Sequence, residues 1–275
     1  MEEKNKIEYQ KESDITSLAI DTHAHLDRDT DTLAIIKNMN SDGLEYIIAM
    51  AGSKEGLIHA QGLASQNPNI YYCYGLHPYD IQNFDQEFIN TVKKLKKEDH
   101  KFVGLGEFGL DYHGEFIETK EAQKKCFIEQ LILANEVGLP ISLHIRDAHE
   151  DALAILKEHK HLLKNSGIIH CFSGDREQAK EYLALGFYIS FSGSLTFKKK
   201  NKPYELSEVA KIVPEDKLLI ETDCPFLCPA PYRGQTNEPK YVLLVAREIA
   251  YLKDKDINEV IEITKRNAKR LFGIK

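Results

Sequence analysis

The chain has 275 residues, of which 42% are hydrophobic and 29% charged, and this composition is typical of a globular protein. No apolar run approaches the roughly 18 residues that span a bilayer, and the N-terminal MEEKNKIEYQKESD has no signal-like apolar stretch, so we expect a cytoplasmic protein. The net charge of −7 argues against a protein that coats nucleic acid, but it allows an enzyme that grips one or two phosphates locally.

Short β-rich runs alternate with longer amphipathic stretches along the whole chain. The predicted strands are Leu18–Leu26, Leu44–Met50, Ile70–His77, Phe102–Leu110, Ile141–Arg146, Gly167–Ser173, Phe187–Gly193 and Leu218–Asp223. The predicted helices include Thr119–Val137, Ala148–His159, Arg176–Leu185, Tyr204–Ile212, Lys240–Leu252 and Asp256–Phe272. Strand–helix alternation indicates parallel strands joined by right-handed crossovers. Eight such units predict an α/β fold with a single (β/α)8 TIM-type barrel over residues 17–275, and an open doubly wound sheet is the alternative.

Three segments and the cysteines fall outside this pattern. Residues 1–16 are expected to form a flexible charged extension. The lysine run Lys198–Lys202 is interpreted as a solvated surface loop, with a phosphate-facing edge as the alternative. The segment Cys224–Pro239 holds four prolines and is predicted to be a long functional loop after the last strand. The five cysteines are scattered without a C-x-x-C pair, so we expect buried free thiols.

Residues suited to metal binding recur where the predicted strands end, which is where active sites lie in such barrels. His23 and His25 are two apart on one strand, so both side chains point to one face. Glu107 lies in the glycine-rich run GLGEFGLDYH, where burying an unpaired carboxylate would be costly. An isolated histidine after an apolar run is often a core residue, but the recurrence favours ligands.

Six side chains form the predicted ligand set: His23, His25, Glu107, His144, His170 and Asp223. This number exceeds what one tetrahedral ion needs and suits two divalent ions about 3.5–4 Å apart, bridged by Glu107. The mixed nitrogen and oxygen donors favour zinc, manganese or iron, with magnesium possible.

The six residues lie in five of seven motifs that follow one another along the chain: DTHAHLD, GLHPYD, GEFGLDYH, HIRDAHED, HCFSG, IETDCPFL and YRGQTNEP. Over Asp21 to Phe272 the chain resembles TatD-type metal-dependent deoxyribonucleases of the amidohydrolase-like barrel superfamily. The resemblance implies that the six residues above are metal ligands. It also implies phosphate-ester hydrolysis, often of DNA from a free 3′ end. Phe108 stands where the family most often has an aliphatic residue.

Catalytic and substrate-binding roles follow from these positions. Metal-activated water is expected to attack phosphorus, with Glu107 as the metal bridge and Asp223 as both ligand and proton acceptor. Arg146 shares a strand face with His144 and is expected to hold a phosphate. His77 and Arg233 are expected to hold a neighbouring phosphate, and Asn237 either bonds substrate or fixes the proline-rich loop.

The expected substrate is DNA, bound locally at a single-stranded end and cleaved exonucleolytically from 3′ to 5′. One alternative is a hydrolase of another ester or amide, including an aminoacyl-tRNA deacylase. Many related amide hydrolases bridge their metals with a carboxylated lysine, but Lys101 lies at the wrong end of the fourth strand. The alternative from another class is a non-catalytic metal-binding scaffold. Nothing indicates a membrane or an obligate protein partner, so a monomer is expected.

Overall fold

The described part of the computed structural model, residues 14–26, 31–197 and 205–275, contains eight strands and nine helices. The strands are β1 Ala19–Ala24, β2 Leu44–Ala51, β3 Ile70–Tyr74, β4 Phe102–Asp111, β5 Ile141–Arg146, β6 Gly167–Ile169, β7 Tyr188–Phe191 and β8 Leu218–Ile220. The helices are α1 Thr32–Asn38, α2 Lys54–Gln66, α3 Gln86–Glu98, α4 Lys120–Val137, α5 His149–Glu158, α6 Arg176–Ala184, α7 Glu205–Ile212, α8 Val242–Lys253 and α9 Ile257–Phe272.

The sheet runs from β1 to β8 in sequence order, and every neighbouring pair is parallel. The segment after β8 returns to β1, where Ala24 bridges Cys224 and the His25 N–H donates to the Cys224 carbonyl at 2.8 Å. The predicted (β/α)8 barrel is therefore confirmed, and the open doubly wound alternative is wrong.

Side chains at the helix termini explain where several helices begin and end. Ser53 accepts a hydrogen bond from the Gly56 N–H at the start of α2. Asp175 and Gln178 form a reciprocal capping box at the start of α6, which satisfies backbone donors that have no partner within the helix. Helix α4 ends at Gly138, whose φ of 67° is the left-handed conformation that glycine adopts without steric cost.

Helix α9 covers the N-terminal side of the barrel. Its Asn267 amide donates to the carbonyl of Leu218, where β8 starts, and Lys269 pairs with Glu45 at the start of β2. A hydrophobic cluster joins residues of several strands to the C-terminal end of the chain: Ile20, Ile48, Cys73, Val103, Ile168, Tyr188, Leu219, Ala268, Leu271, Phe272 and Ile274. With this end closed, the C-terminal side is the open mouth. Within the described ranges, no helix combines the length and apolarity needed to cross a membrane.

Five strands end earlier than predicted: β1 at Ala24, β3 at Tyr74, β6 at Ile169, β7 at Phe191 and β8 at Ile220. His25, His77, His170 and Asp223 therefore lie just beyond their strands. Positive φ angles of 42° at Cys171 and 57° at Asp223 turn the chain out of the extended conformation there. The side chains of His170 and Asp223 are therefore carried by turns rather than by regular strand.

The segments outside the barrel elements are only partly described. Most of the predicted extension, residues 1–13, and the lysine run Lys198–Lys202 lie outside the described residues. The proline-rich loop is irregular as predicted, and α8 begins at Val242 after a short 3-10 turn. The five cysteines are free thiols, of which Cys171 is half-buried and the others are buried.

Candidate metal centre

The structure brings the six predicted ligands together at the mouth of the barrel: His23, His25, Glu107, His144, His170 and Asp223. They come from β1 and the residue directly after it, from β4 and β5, and from the turns after β6 and β8. Their side chains are largely buried, and Asp223 is the more exposed of the two carboxylates at 14%, against 6% for Glu107.

One half of the centre is formed by β1 and the turn after β8. The Nε2 atoms of His23 and His25 lie 3.3 Å apart. Asp223 Oδ1 lies 3.7 Å from the first and 3.5 Å from the second. Glu107 Oε1 lies 3.2 Å from His25 Nε2. Four donor atoms thus surround one position.

The other half of the centre is formed by His170 and His144, which face the second carboxylate oxygen of Glu107. Glu107 Oε2 lies 3.1 Å from His170 Nε2 and 3.6 Å from His144 Nδ1. These two nitrogens are 3.2 Å apart. His23 also contacts Oε2, at 3.5 Å, so the two halves adjoin and share Glu107.

The donor spacing fits metal coordination. Ligand atoms about 2.1 Å from a tetrahedral ion lie roughly 3.4 Å from one another, and the separations above run from 3.1 to 3.7 Å. Two imidazole nitrogens facing each other both offer lone pairs, so they need a proton or a cation between them. The donor set therefore suits a divalent cation in each half.

Two buried carboxylates stand behind the histidines. Asp111 Oδ2 lies 3.0 Å from His144 Nε2, and Glu221 Oε1 lies 3.3 Å from His170 Nδ1. A carboxylate on one ring nitrogen holds the N–H there and leaves the lone pair of the other nitrogen facing the metal position. The side chains of Asp111 and Glu221 are fully buried.

A third buried acidic side chain, Asp21, joins β1 to the turn after β8. Its Oδ1 accepts hydrogen bonds from the backbone N–H groups of His23 at 3.2 Å and Thr222 at 2.9 Å. Burial raises the pKa of Asp21 to about 8. This carboxyl therefore holds the backbone that carries His23 and Asp223.

The sequence-based prediction did not include Asp21, Asp111 and Glu221, although their spacing from the predicted ligands could have indicated them. Asp21 precedes His23 by two residues, Glu221 precedes Asp223 by two, and Asp111 follows Glu107 by four. Even spacing on extended chain puts side chains on one face. Carboxylates an even number of residues away from a predicted ligand were therefore candidates for buried groups that contact the ligand residues on the side away from the metal position.

The electrostatics of the centre favour positive charge. Burial alone would raise the pKa of Glu107, but His25 and His23 hold it well below its usual range. Burial opposes a proton on His170, yet hydrogen bonds to Glu107 and Glu221 raise its pKa well above the usual value. Burial lowers the pKa of His23, and the neighbouring His170 lowers it further. The carboxylates that stabilise a proton here would equally stabilise a cation.

Two glycines let β4 approach β5 closely enough to form this centre. A Cβ at Gly109 would lie 2.0 Å from the carbonyl oxygen of His144, and one at Gly106 would lie 2.7 Å from Ser142. Both have φ near 150°, where residues with a Cβ are strained. This close approach of the two strands explains how the Glu107 carboxylate reaches His144.

Two of the predicted substrate-binding residues flank the centre on the His144 side. The His77 ring lies 4.5 Å from the His144 ring, and burial together with that neighbour lowers the pKa of His77 to about 3. Arg146 is exposed, and its positive charge acts on the nearby Tyr79 hydroxyl, where it partly offsets the effect of burial, which raises the pKa of Tyr79. That hydroxyl donates to Asp111 Oδ2 at 2.7 Å. Arg146 therefore lies on the same side of the centre as the carboxylate that contacts His144.

The other two lie in the proline-rich loop. Arg233 is exposed, and its guanidinium lies over the Phe197 ring, 4.3 Å from the centroid. Asn237 is fully buried, and its amide donates to the carbonyls of Thr222 at 2.9 Å and Phe226 at 2.6 Å. Of its two predicted roles, this geometry matches fixing the loop.

Comparisons with known proteins identify the family. The sequence profile of the family described as TatD related DNase matches residues 20–273. The chain is 43% identical over 260 residues to YabD of Bacillus subtilis, an uncharacterized metal-dependent hydrolase, covering 94% of this chain and 100% of that protein. It is 33% identical over 247 residues to the 3′-5′ ssDNA/RNA exonuclease TatD of Erwinia tasmaniensis, covering 87% and 93%.

A solved structure is similar in both fold and sequence. YJJV, a TatD homolog from Escherichia coli K12, superimposes with a TM-score of 0.85 at 28% identity, covering 94% of this chain and 98% of that one. The match of the family profile over nearly the whole chain, together with these relatives, shows that the chain belongs to the TatD family of metal-dependent hydrolases.

Proposed function

We propose that the protein hydrolyses phosphodiester bonds of DNA with two divalent metal ions, removing nucleotides from the 3′ end of single strands. The observation that carries the two-metal proposal is that the two carboxylate oxygens of Glu107 face different histidines. Its Oε1 faces His25 at 3.2 Å, while its Oε2 faces His170 at 3.1 Å. A carboxylate whose two oxygens face different histidine groups could contact two ions at once, as carboxylates do in two-metal hydrolytic sites.

Charge balance and donor chemistry support two ions. Four carboxyl groups touch the histidines of the centre, and when ionised they carry a formal charge of −4: Glu107, Asp111, Glu221 and Asp223. Two divalent ions would neutralise it. The four imidazoles favour zinc, manganese or iron, and magnesium could serve at cellular concentrations.

Each half would hold one ion. His23, His25 and Asp223 would hold the first, His144 and His170 the second, and Glu107 would contact both. When bound, such ions supply Lewis-acid stabilisation of the phosphate and a water acidic enough to attack it near neutral pH.

The protein's own groups account for the remaining steps. Asp223 is the more solvent-accessible of the two ligand carboxylates, so we assign it the proton released by the attacking water. Burial would raise its pKa, but the hydrogen bond from His25 and the charges of His23 and His170 lower it overall. Asp223 is therefore ionised and can accept this proton. Arg146, exposed beside His144, is assigned to hold the phosphate.

The net negative charge of the chain favours a substrate that is bound only at the end of its strand. With a net charge of −7, the protein gains little from binding along a duplex. A barrel mouth surrounded by loops suits a single strand that inserts one or two phosphates. The relative named as a 3′-5′ ssDNA/RNA exonuclease is 33% identical over most of its length, which supports the same polarity here.

The position of Lys101 argues against the amide-hydrolase alternative. Lys101 precedes β4 at the closed end of the barrel, where it bonds the Pro68 carbonyl and lies over the Tyr71 ring. Among the described residues, Glu107 is the side chain shared by two candidate ligand groups, one with His23 and His170 and the other with His77 and His144. This argues against a carboxylated lysine bridge in this centre.

The test uses end-labelled single-stranded DNA and a closed circular single strand, each incubated with protein loaded with manganese or zinc. We expect stepwise shortening of the linear strand from its 3′ end and an intact circle. Cutting of the circle at a similar rate would indicate an endonuclease. Turnover of neither DNA, with metal bound at two equivalents by elemental analysis, would refute the nuclease proposal while retaining the metal centre.

A further inference from the structure

Phe226 presents an exposed aromatic ring beside the metal centre. It lies three residues after Asp223, in the turn that follows β8, and 46% of its surface is exposed. Its ring centroid is 6.1 Å from that of His25, with the two rings at 71°. The ring therefore borders a candidate ligand and keeps nearly half of its surface open to solvent.

The surrounding turn fixes where this ring stands. The Phe226 N–H donates to the Asp223 carbonyl at 3.0 Å, and its own carbonyl accepts from the buried Asn237 amide at 2.6 Å. The next residue, Leu227, has a φ of 55°, which turns the chain sharply. The backbone of Phe226 is thus held on both sides and coupled directly to the residue that carries the metal-binding carboxylate.

Other exposed aromatic residues have different surroundings. Tyr79 is 40% exposed, but its ring stacks on Phe116 at 3.7 Å and its hydroxyl is bound to Asp111. Tyr251 is 41% exposed and belongs to α8, one of the helices outside the barrel. Phe226 combines exposure with a direct ring contact to a metal-ligand histidine.

We propose that Phe226 is a base-stacking residue that holds a nucleobase next to the scissile phosphate, an inference that rests on the proposed nuclease function. A phosphate held at His25 is attached to a nucleoside whose base lies one sugar away, within reach of a ring that borders His25. Every base has a flat π face, so stacking on an aromatic side chain binds a strand end regardless of its sequence.

This role explains how an acidic protein could hold a nucleic acid. Lys and Arg contacts along a backbone would be weakened by the net charge of −7, whereas stacking does not depend on charge. Stacking would also make the enzyme selective for nucleic acids, because a phosphodiester without a base gains no binding energy from the ring. Phe226 would thereby direct the same metal chemistry toward nucleotides.

The experiment compares two labelled single strands, one natural and one whose two 3′-terminal nucleotides lack bases. Phe226→Ala should raise KM for the natural strand about 5- to 150-fold, the range typical of losing one base–aromatic stack. The kcat should change little, since stacking is present before and during reaction. On the abasic strand the KM of this variant should match that of the parent protein.

Three further variants distinguish stacking from structural support. Phe226→Tyr keeps a ring and should restore the parent KM, whereas Phe226→Leu keeps apolar volume without a π face and should remain impaired. Tyr251→Ala removes a similarly exposed ring far from the mouth and should behave as the parent on both strands. Elemental analysis should find equal metal in every variant.

Two results would overturn the inference alone. One is a parent-like KM for Phe226→Ala on the natural strand. The other is an equal loss on natural and abasic strands, which would make Phe226 a support for the metal centre. If the metal-loaded parent cleaves neither strand, the nuclease proposal fails and the base-stacking role fails with it.

Discussion

Asp111, one of the buried carboxylates that contact the histidines of the centre, offers the sharpest test of the two-metal centre. Asp111→Asn keeps the shape of the side chain, and its remaining oxygen can still accept from the His113 N–H, now bonded to Oδ1 at 2.8 Å. What changes are the two contacts of Oδ2, with His144 Nε2 at 3.0 Å and with the Tyr79 hydroxyl at 2.7 Å. An amide donor there would favour the wrong tautomer of His144 and turn an N–H toward the metal position.

The expected magnitude follows from that contact. Loss of a carboxylate behind a metal-bound histidine typically weakens metal binding about 10- to 100-fold, or roughly 1.4 to 2.8 kcal/mol. The side chain of Asp111 is fully buried, so solvent cannot replace the lost interaction. Only the half of the centre formed by His144 and His170 should be affected, because His23 and His25 face Asp223 on the other side.

Calorimetric titration of metal-free protein with Zn²⁺ or Mn²⁺ measures both sites at once. We expect two binding events in the parent protein and selective weakening of one in Asp111→Asn. Asp147→Asn is the matched control, because this exposed carboxylate pairs with His113 at the same mouth and asparagine tolerates its φ of 54°. Unchanged binding at both sites, or an equal loss at both, would refute the assignment of Asp111 to one ion.

Three other substitutions test separate parts of the site. Asp223→Asn should lower kcat about 100-fold or more with metal largely retained, since the amide can still ligate but cannot accept a proton; a near-parent rate would remove this role. Arg146→Lys should lower kcat/KM about 10-fold or more with unchanged metal content, because lysine cannot form the two parallel bonds of a guanidinium; an unchanged rate would mean that Arg146 does not hold the phosphate. Asn237→Ala should lower the free energy of unfolding by about 1–3 kcal/mol, because it leaves the buried carbonyls of Thr222 and Phe226 without their donor; urea denaturation measures this loss, and parent-like stability would contradict it.

Periodicity was sufficient to predict the barrel and to place the six candidate ligands together at its mouth. Alternating strand and helix patterns predicted eight parallel strands, and the same spacing put His23 and His25 on one face. What periodicity could not predict was where strands stop. The left-handed backbone at Cys171 and Asp223 depends on how each turn packs, so His170 and Asp223 lie beyond their strands.

The sequence by itself determined which donor types meet at the mouth, because the carboxyl ends of parallel strands share one edge of a barrel. Only the tertiary structure decided how Glu107 divides its oxygens between two histidine groups, since that depends on β4 pressing against β5 at Gly109. It also decided the partners behind the ligands. The pairing of Glu221 with His170 joins residues 51 positions apart, and such a contact arises from the closure of the barrel rather than from any local pattern.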